Sequence, residues 1–245
     1  MLTENKFNKY LFYAIGEIIL VVIGILIALQ LNNWNQDRKN NEESKTLLLH
    51  LQEDVGENIK NLKELQESIE IRKNYAGFIL KALDDQKVTD SIKFIAAMTR
   101  VGWIMNYSQA LPTYDEIISS GKLSYINSKK LKNELAIYKS GVEEKRQIAS
   151  PINMGLKKTE RLAIGHLKGM PKASNLIKPV SSYKGVSFDL SSIAADIEFY
   201  KNVKYICYQS ALTKAYIEDL FITRLKKLKS LIAHESSAIR DNKVH

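Results

Sequence analysis

Residues 10–31, YLFYAIGEIILVVIGILIALQL, narrow what this chain can become more than any other stretch. Fourteen of these twenty-two residues are Leu, Ile, Val or Phe. As a helix the run measures about 33 Å, which matches the roughly 30 Å hydrocarbon core of a bilayer. Insertion of its large apolar side chains is worth roughly −4 to −8 kcal/mol. The acidic residue inside the run, Glu17, opposes this by about 2.5–3.5 kcal/mol, so insertion wins. The run is longer than a signal-peptide core, and "IALQLNNW" offers no small-x-small cleavage site. An uncleaved, single-pass anchor in membrane lipid is expected. Tyr10, Tyr13 and Trp34 belong at its two interfaces, where amphipathic aromatic rings settle.

Lys6 and Lys9 precede the run, and Arg38, Lys39 and Lys45 follow it, so the positive-inside rule is nearly balanced. A nine-residue leading tail without folded cargo fits a signal anchor in a bacterial inner membrane. That places the N-terminus in the cytoplasm and the C-terminal domain in the periplasm.

Glu17 shares one helical stripe with Ala14, Val21, Gly24 and Ala28, spaced alternately by three and four residues. Small residues let membrane helices approach closely, and polar groups find partners across the contact. This stripe is therefore the expected seam of a homo-oligomer, in which Glu17 meets its symmetry copies. Two other readings of Glu17 stay open: it snorkels to the headgroups, or it lines a water-filled path.

The stretch NKYLFYAIGEIILVVIGILIALQLNNWN, residues 8–35, resembles the N-terminal signature of an uncharacterised family of small bacterial membrane proteins. The matching positions are Gly16, Glu17, Ile18, Gly24, Gln30, Asn32, Asn33, Trp34 and Asn35. A weaker likeness covers residues 113–138. The resemblance implies a short tail, one span and a helical remainder, and it implies no activity.

Beyond the span, residues 32–45 are polar and Asn-rich, a juxtamembrane linker or a helix emerging into water. Residues 46–240 read as a helical bundle. Leu48, Leu51, Val55, Leu62, Leu65, Ile69, Ala76, Ile79 and Leu83 form one stripe, interrupted by Asn58 and Arg72. Thr89 or Asp90 can cap a second helix anchored by Trp103. Thr113 and Glu116 fit a capping box, and Gly121 can end that helix in a left-handed conformation. Asn127 or Ser128 opens a third helix, which Pro151 and Gly155 should kink or break. Ser191 or Ser192 opens a last helix to about residue 237, with Ile197, Tyr200, Ile217, Leu220, Leu228 and Ile232 on its apolar stripe. Four prolines and eleven glycines are too few for a turn-rich β architecture. The expected fold is all-α, one transmembrane helix followed by an antiparallel bundle of long helices.

Chemistry is sparse. The four histidines lack metal-ligand spacing, so no metal and no cofactor are expected. Cys207 sits among apolar and aromatic neighbours and reads as a packed thiol. Acidic pairs such as Glu143/Glu144 are sequence neighbours and do not share a helix face. No nucleophile elbow or phosphate loop is present, so no catalytic residue is expected. Residues 122–184 hold fourteen Lys or Arg against four acids, within a chain of net charge +9. Without an aromatic-laced basic motif, this reads as a solvated face rather than a nucleic-acid surface.

The expected function is a non-catalytic, membrane-anchored helical scaffold or binding module with a protein partner for its bundle. Two alternatives remain: an extracytoplasmic ligand sensor working with a separate transducer, and an oligomeric membrane-perturbing effector. A dry bundle core favours the scaffold. A concave pocket among the tyrosines of residues 200–216 favours the sensor.

Overall fold

The fold is taken from a computed structural model that describes residues 4–104, 109–169, 183 and 185–241. The side chains of residues 4–13, 146–151, 240 and 241 lie outside that description, which includes Tyr10 and Tyr13.

Helix α1, Glu4–Asp84, is one rod of 81 residues. It carries the apolar run, the polar stretch after it and the first bundle helix without interruption. Residues 32–45 are therefore helical, the second of the two sequence readings. Burial begins at Ser44 and Leu47, so roughly 20 Å of helix separates the apolar run from the bundle. From there the three/four stripe behaves as its spacing predicts: Leu48, Leu51, Val55, Leu62, Ala76 and Ile79 are fully buried.

Helix α2, Ser91–Arg100, starts where Asp90 accepts a hydrogen bond from the Lys93 backbone N–H at 2.9 Å. It ends earlier than the sequence suggested, and Trp103 is 58% exposed instead of anchoring it. Helix α3, Pro112–Ser119, has Pro112 at its first position, which suits a residue without an N–H. The expected capping box does not form. Thr113 lies inside the helix, and its backbone N–H donates to Asp54 Oδ2 of α1 at 2.9 Å. Gly121 takes φ +71° after α3, and the 3-10 turn Lys122–Tyr125 follows.

Helix α4, Lys129–Gly165, is capped by Ser128, whose Oγ accepts from the Leu131 N–H. It passes through Pro151 and Gly155 without a break. Strands β1, Leu167–Lys168, and β2, Ser187–Phe188, pair antiparallel. Two residues each is too short for an alternating pattern to register in the sequence.

The last rod is divided, in contrast to the single helix expected. Asp189 caps α5, Leu190–Ala195, and Asp196 caps α6, Ile197–Tyr216. The π-helical segment Ile217–Ile222 joins α6 to α7, Thr223–Asp241. The wider π turn rotates the following stripe relative to an α-helical register. Ile217, Phe221 and Ile222 are buried, whereas Leu220, placed on the apolar stripe by α periodicity, is 44% exposed. Ile197, at the first helical position of α6, is also exposed.

Two apolar cores are stacked along α1. The first joins Leu47 to Ile69 of α1 with α3, Leu131 to Val142 of α4, and residues 217–239. The second joins Ala76 to Leu83 with α2, Leu156 and Ala163 of α4, and Phe199 to Ile206 of α6. α1 and α4 thus both run from the first core to the second, and α6–α7 run back between the same two levels. Glu134 of α4 clasps the return rod, meeting Arg224 Nη1 at 3.0 Å and Lys227 Nζ at 2.5 Å. Lys227 and then Arg224 hold its carboxyl below the usual carboxylate range.

Candidate functional site

Two regions of the molecule carry polar groups in unusual places. The first is the apolar run of α1. It is the one stretch among the described residues long and apolar enough to cross a membrane, and residues 14–31 are uncovered by the rest of the chain. Ala14, Glu17, Val21, Gly24 and Ala28 are all exposed. A Cβ added at Gly24 would meet nothing within 4 Å. The stripe is open, and the chain's own bundle supplies no partner to it. Trp34 is exposed beyond the run, and the Arg38 guanidinium lies 5.7 Å from its ring centroid.

The second region lies between the two cores. The stripe of α1 has polar residues at two core positions, and their fates differ. Asn58 is buried, and its Nδ2 donates to Ala110 O at 2.7 Å. Arg72 has no acidic or hydrogen-bonding partner among the described residues. Burial pushes its pKa below the ordinary arginine value, although a guanidinium stays cationic at neutral pH.

Arg72 borders a cavity of about 190 Å³ lined by α1, α4 and α6 and open on one side to solvent. The facing helices are polar at the same level. α4 contributes Thr159, which is buried and donates to Gly155 O at 3.0 Å. α6 contributes Asn202, Gln209, Ser210 and Thr213. The Asn202 Nδ2 atom is buried and has no acceptor. At the edge, Gln209 Nε2 donates to Tyr205 Oη at 2.9 Å, and Tyr205 is 54% exposed. Ile69, Leu156 and Ile206 supply the apolar part of the wall. Of the tyrosines between residues 200 and 216, Tyr205 is the one that lines the cavity. Tyr200 instead donates to Asp84 Oδ1 at 2.9 Å.

The remaining sequence candidates are dispersed. His166 Nε2 lies 2.8 Å from Asp196 Oδ2 and joins the end of α4 to the start of α6. The Phe199 N–H and then His166 keep the Asp196 carboxyl below its usual range. His50 and His234 are exposed, and Cys207 is half-buried. No cluster of three or more His, Cys, Asp or Glu able to hold a metal ion occurs among the described residues.

A family model described as a family of unknown function (DUF6090) matches residues 17–143, just over half of the chain. The chain belongs to this family. The DUF6090 match begins at Glu17 and takes in α1 from that residue on, including most of its apolar run, then α2, α3 and the first part of α4. Of the cavity's walls it includes Ile69 and Arg72 and stops before the residues of α4 and α6. No curated protein and no solved structure matches the chain.

The polar layer was partly visible in advance, since Arg72 interrupts an otherwise apolar stripe. Ser210 and Thr213 give no such signal, because α6 is apolar on more than one face. Tyr205, Tyr208 and Leu212 are all exposed on it.

Proposed function

We propose that this protein is a non-catalytic, membrane-anchored helical scaffold that self-associates through its transmembrane stripe. The observation that carries the reading is the uncovered carboxyl of Glu17 beside Ala14, Gly24 and Ala28 in an apolar helix. A carboxyl in hydrocarbon needs hydrogen-bonding partners, and small neighbours let a second helix bring them close. The chain belongs in a bacterial inner membrane, with the short tail cytoplasmic and the bundle periplasmic. Because α1 runs unbroken from span to core, an oligomer formed in the bilayer would hold its bundles side by side about 20 Å above it.

The test is native mass measurement of the full chain in detergent. Wild type should be oligomeric, and Glu17→Leu should shift the population toward monomer. An unchanged mass distribution would remove the seam.

A second reading, a ligand sensor working through a separate transducer, is favoured by the cavity between the cores. A scaffold has no need of a cationic side chain left unpaired at a core position. A ligand wedged there would alter how α4 and α6 sit on α1, the same helix that enters the membrane.

A further inference from the structure

The inference drawn here rests on the sensor reading and does not depend on self-association. Each of the three rods turns polar residues toward the cavity at one level: half-buried Arg72 on α1, buried Thr159 on α4, and buried Ser210 with half-buried Thr213 on α6. Above and below that level the cores are apolar. A polar layer in a helical bundle is retained at a cost unless its members satisfy one another. Here they do not: the half-buried Arg72 has no acidic partner among the described residues, and the buried Asn202 Nδ2 has no acceptor. Both of those groups donate hydrogen bonds, and the cavity wall contains no Asp or Glu. What is missing is an anion with acceptor oxygens.

We propose that the cavity is a binding site for a small organic monocarboxylate. The planar guanidinium of Arg72 matches a carboxylate in a bidentate geometry, and Asn202 donates from α6. The ligand's hydrocarbon part rests against Ile69, Leu156 and Ile206. The lining is small and mostly apolar apart from the polar groups named, which suits a short-chain acid. Tyr205 and Gln209, hydrogen-bonded to each other, stand at the mouth. Association neutralises the half-buried cation and gives the orphaned amide an acceptor, so the carboxylate supplies both missing contacts at once.

The experiment is calorimetric titration of the full chain in detergent micelles with four probes: butyrate, n-butylamine, n-butanol and inorganic phosphate. Butyrate should bind, while n-butylamine, n-butanol and phosphate bind at least tenfold more weakly. Arg72→Met should weaken butyrate at least tenfold. Asn202→Asp, which adds a carboxylate to the wall as an internal partner for Arg72, should do the same while leaving the helical circular-dichroism spectrum unchanged. Butyrate affinity unaltered in both variants would overturn the site. Preferential binding of n-butylamine, n-butanol or phosphate would overturn the ligand class and leave the sensor reading standing. Absence of binding by all four would remove both.

Discussion

Glu235, near the end of the chain, caps the first turn of α4. Its Oε1 accepts the backbone N–H of Asn127 at 2.6 Å and that of Ser128 at 3.0 Å. The carboxylate is buried and separated from Asn127 by 108 residues, so it ties the return rod to the start of the third helix. Local capping by Ser128 satisfies one orphan donor, and Glu235 takes the N–H of the cap residue itself and that of Asn127 before it, with its carboxylate at the positive end of the helix. Glu235→Ala should lower unfolding free energy by about 1–3 kcal/mol. Urea denaturation followed by circular dichroism checks this, and a change under about 0.5 kcal/mol would mean the cap is dispensable.

Gly102 marks the closest approach of the segment after α2 to α4. A Cβ built there would lie 2.4 Å from Leu156 O and 2.7 Å from Glu160 N, both backbone atoms that cannot swing away. Gly102→Ala should destabilise by about 1–3 kcal/mol through forced backbone displacement. Gly141 in α4 is the control, since its nearest neighbour would be Phe221 Cε1 at 4.0 Å. Gly141→Ala should be neutral or stabilise by up to about 1 kcal/mol from helix propensity alone. The two variants, compared by thermal melting, should move in opposite directions or differ by more than the propensity term.

Lys145 is the group whose titration should be felt on the alkaline side of pH 8. Its Nζ lies 4.6 Å from the Phe221 ring centroid and 5.6 Å from that of Tyr216. Burial lowers its pKa to about 8. In the unfolded chain the lysine keeps its ordinary value of 10.5, so between these two pH values the unfolded state binds more protons. Stability from this group therefore rises as pH increases from about 8 to 10.5, and on descent it is lost across the same window and is flat below about 8. Lys145→Met should flatten that part of the stability profile relative to wild type. Parallel slopes for the two proteins across this window would contradict the assignment.

Arg72 should limit stability in the absence of ligand. Replacing a half-buried cation that has no acidic partner among the described residues by an apolar side chain of similar length removes part of a desolvation cost. Arg72→Met is expected to stabilise the ligand-free protein by roughly 1–2 kcal/mol. Denaturant midpoints measured in buffer without organic acids check this. A destabilised variant would place Arg72 among the structural contacts of the bundle.

Much of the architecture is local in origin and could be read from residue order. A helix long and apolar enough to cross a membrane follows from the composition of residues 10–31, and the core face of α1 from the three/four spacing of Leu48 through Leu83. The caps at Asp90 and Ser128 and the left-handed Gly121 follow from the backbone needs of those residue types. Errors gathered where a distant group takes over a local role. Thr113 loses its capping position because Asp54 of α1 meets its N–H.

What residue order determined by itself is therefore the helical content, the apolar span and the face each regular helix buries, because these depend on periodicity and transfer energies within one segment. Tertiary structure alone decided the rest. It turned the return rod through a π segment at 217–222, assigned Glu235 to the start of α4, and brought Arg72, Thr159, Asn202 and Ser210 to one level. Those outcomes depend on how three rods meet, and the groups that meet are far apart in the chain. Asn58 and Arg72 look alike as interruptions of one stripe, and only the packed bundle gives the first a carbonyl and leaves the second facing an open cavity.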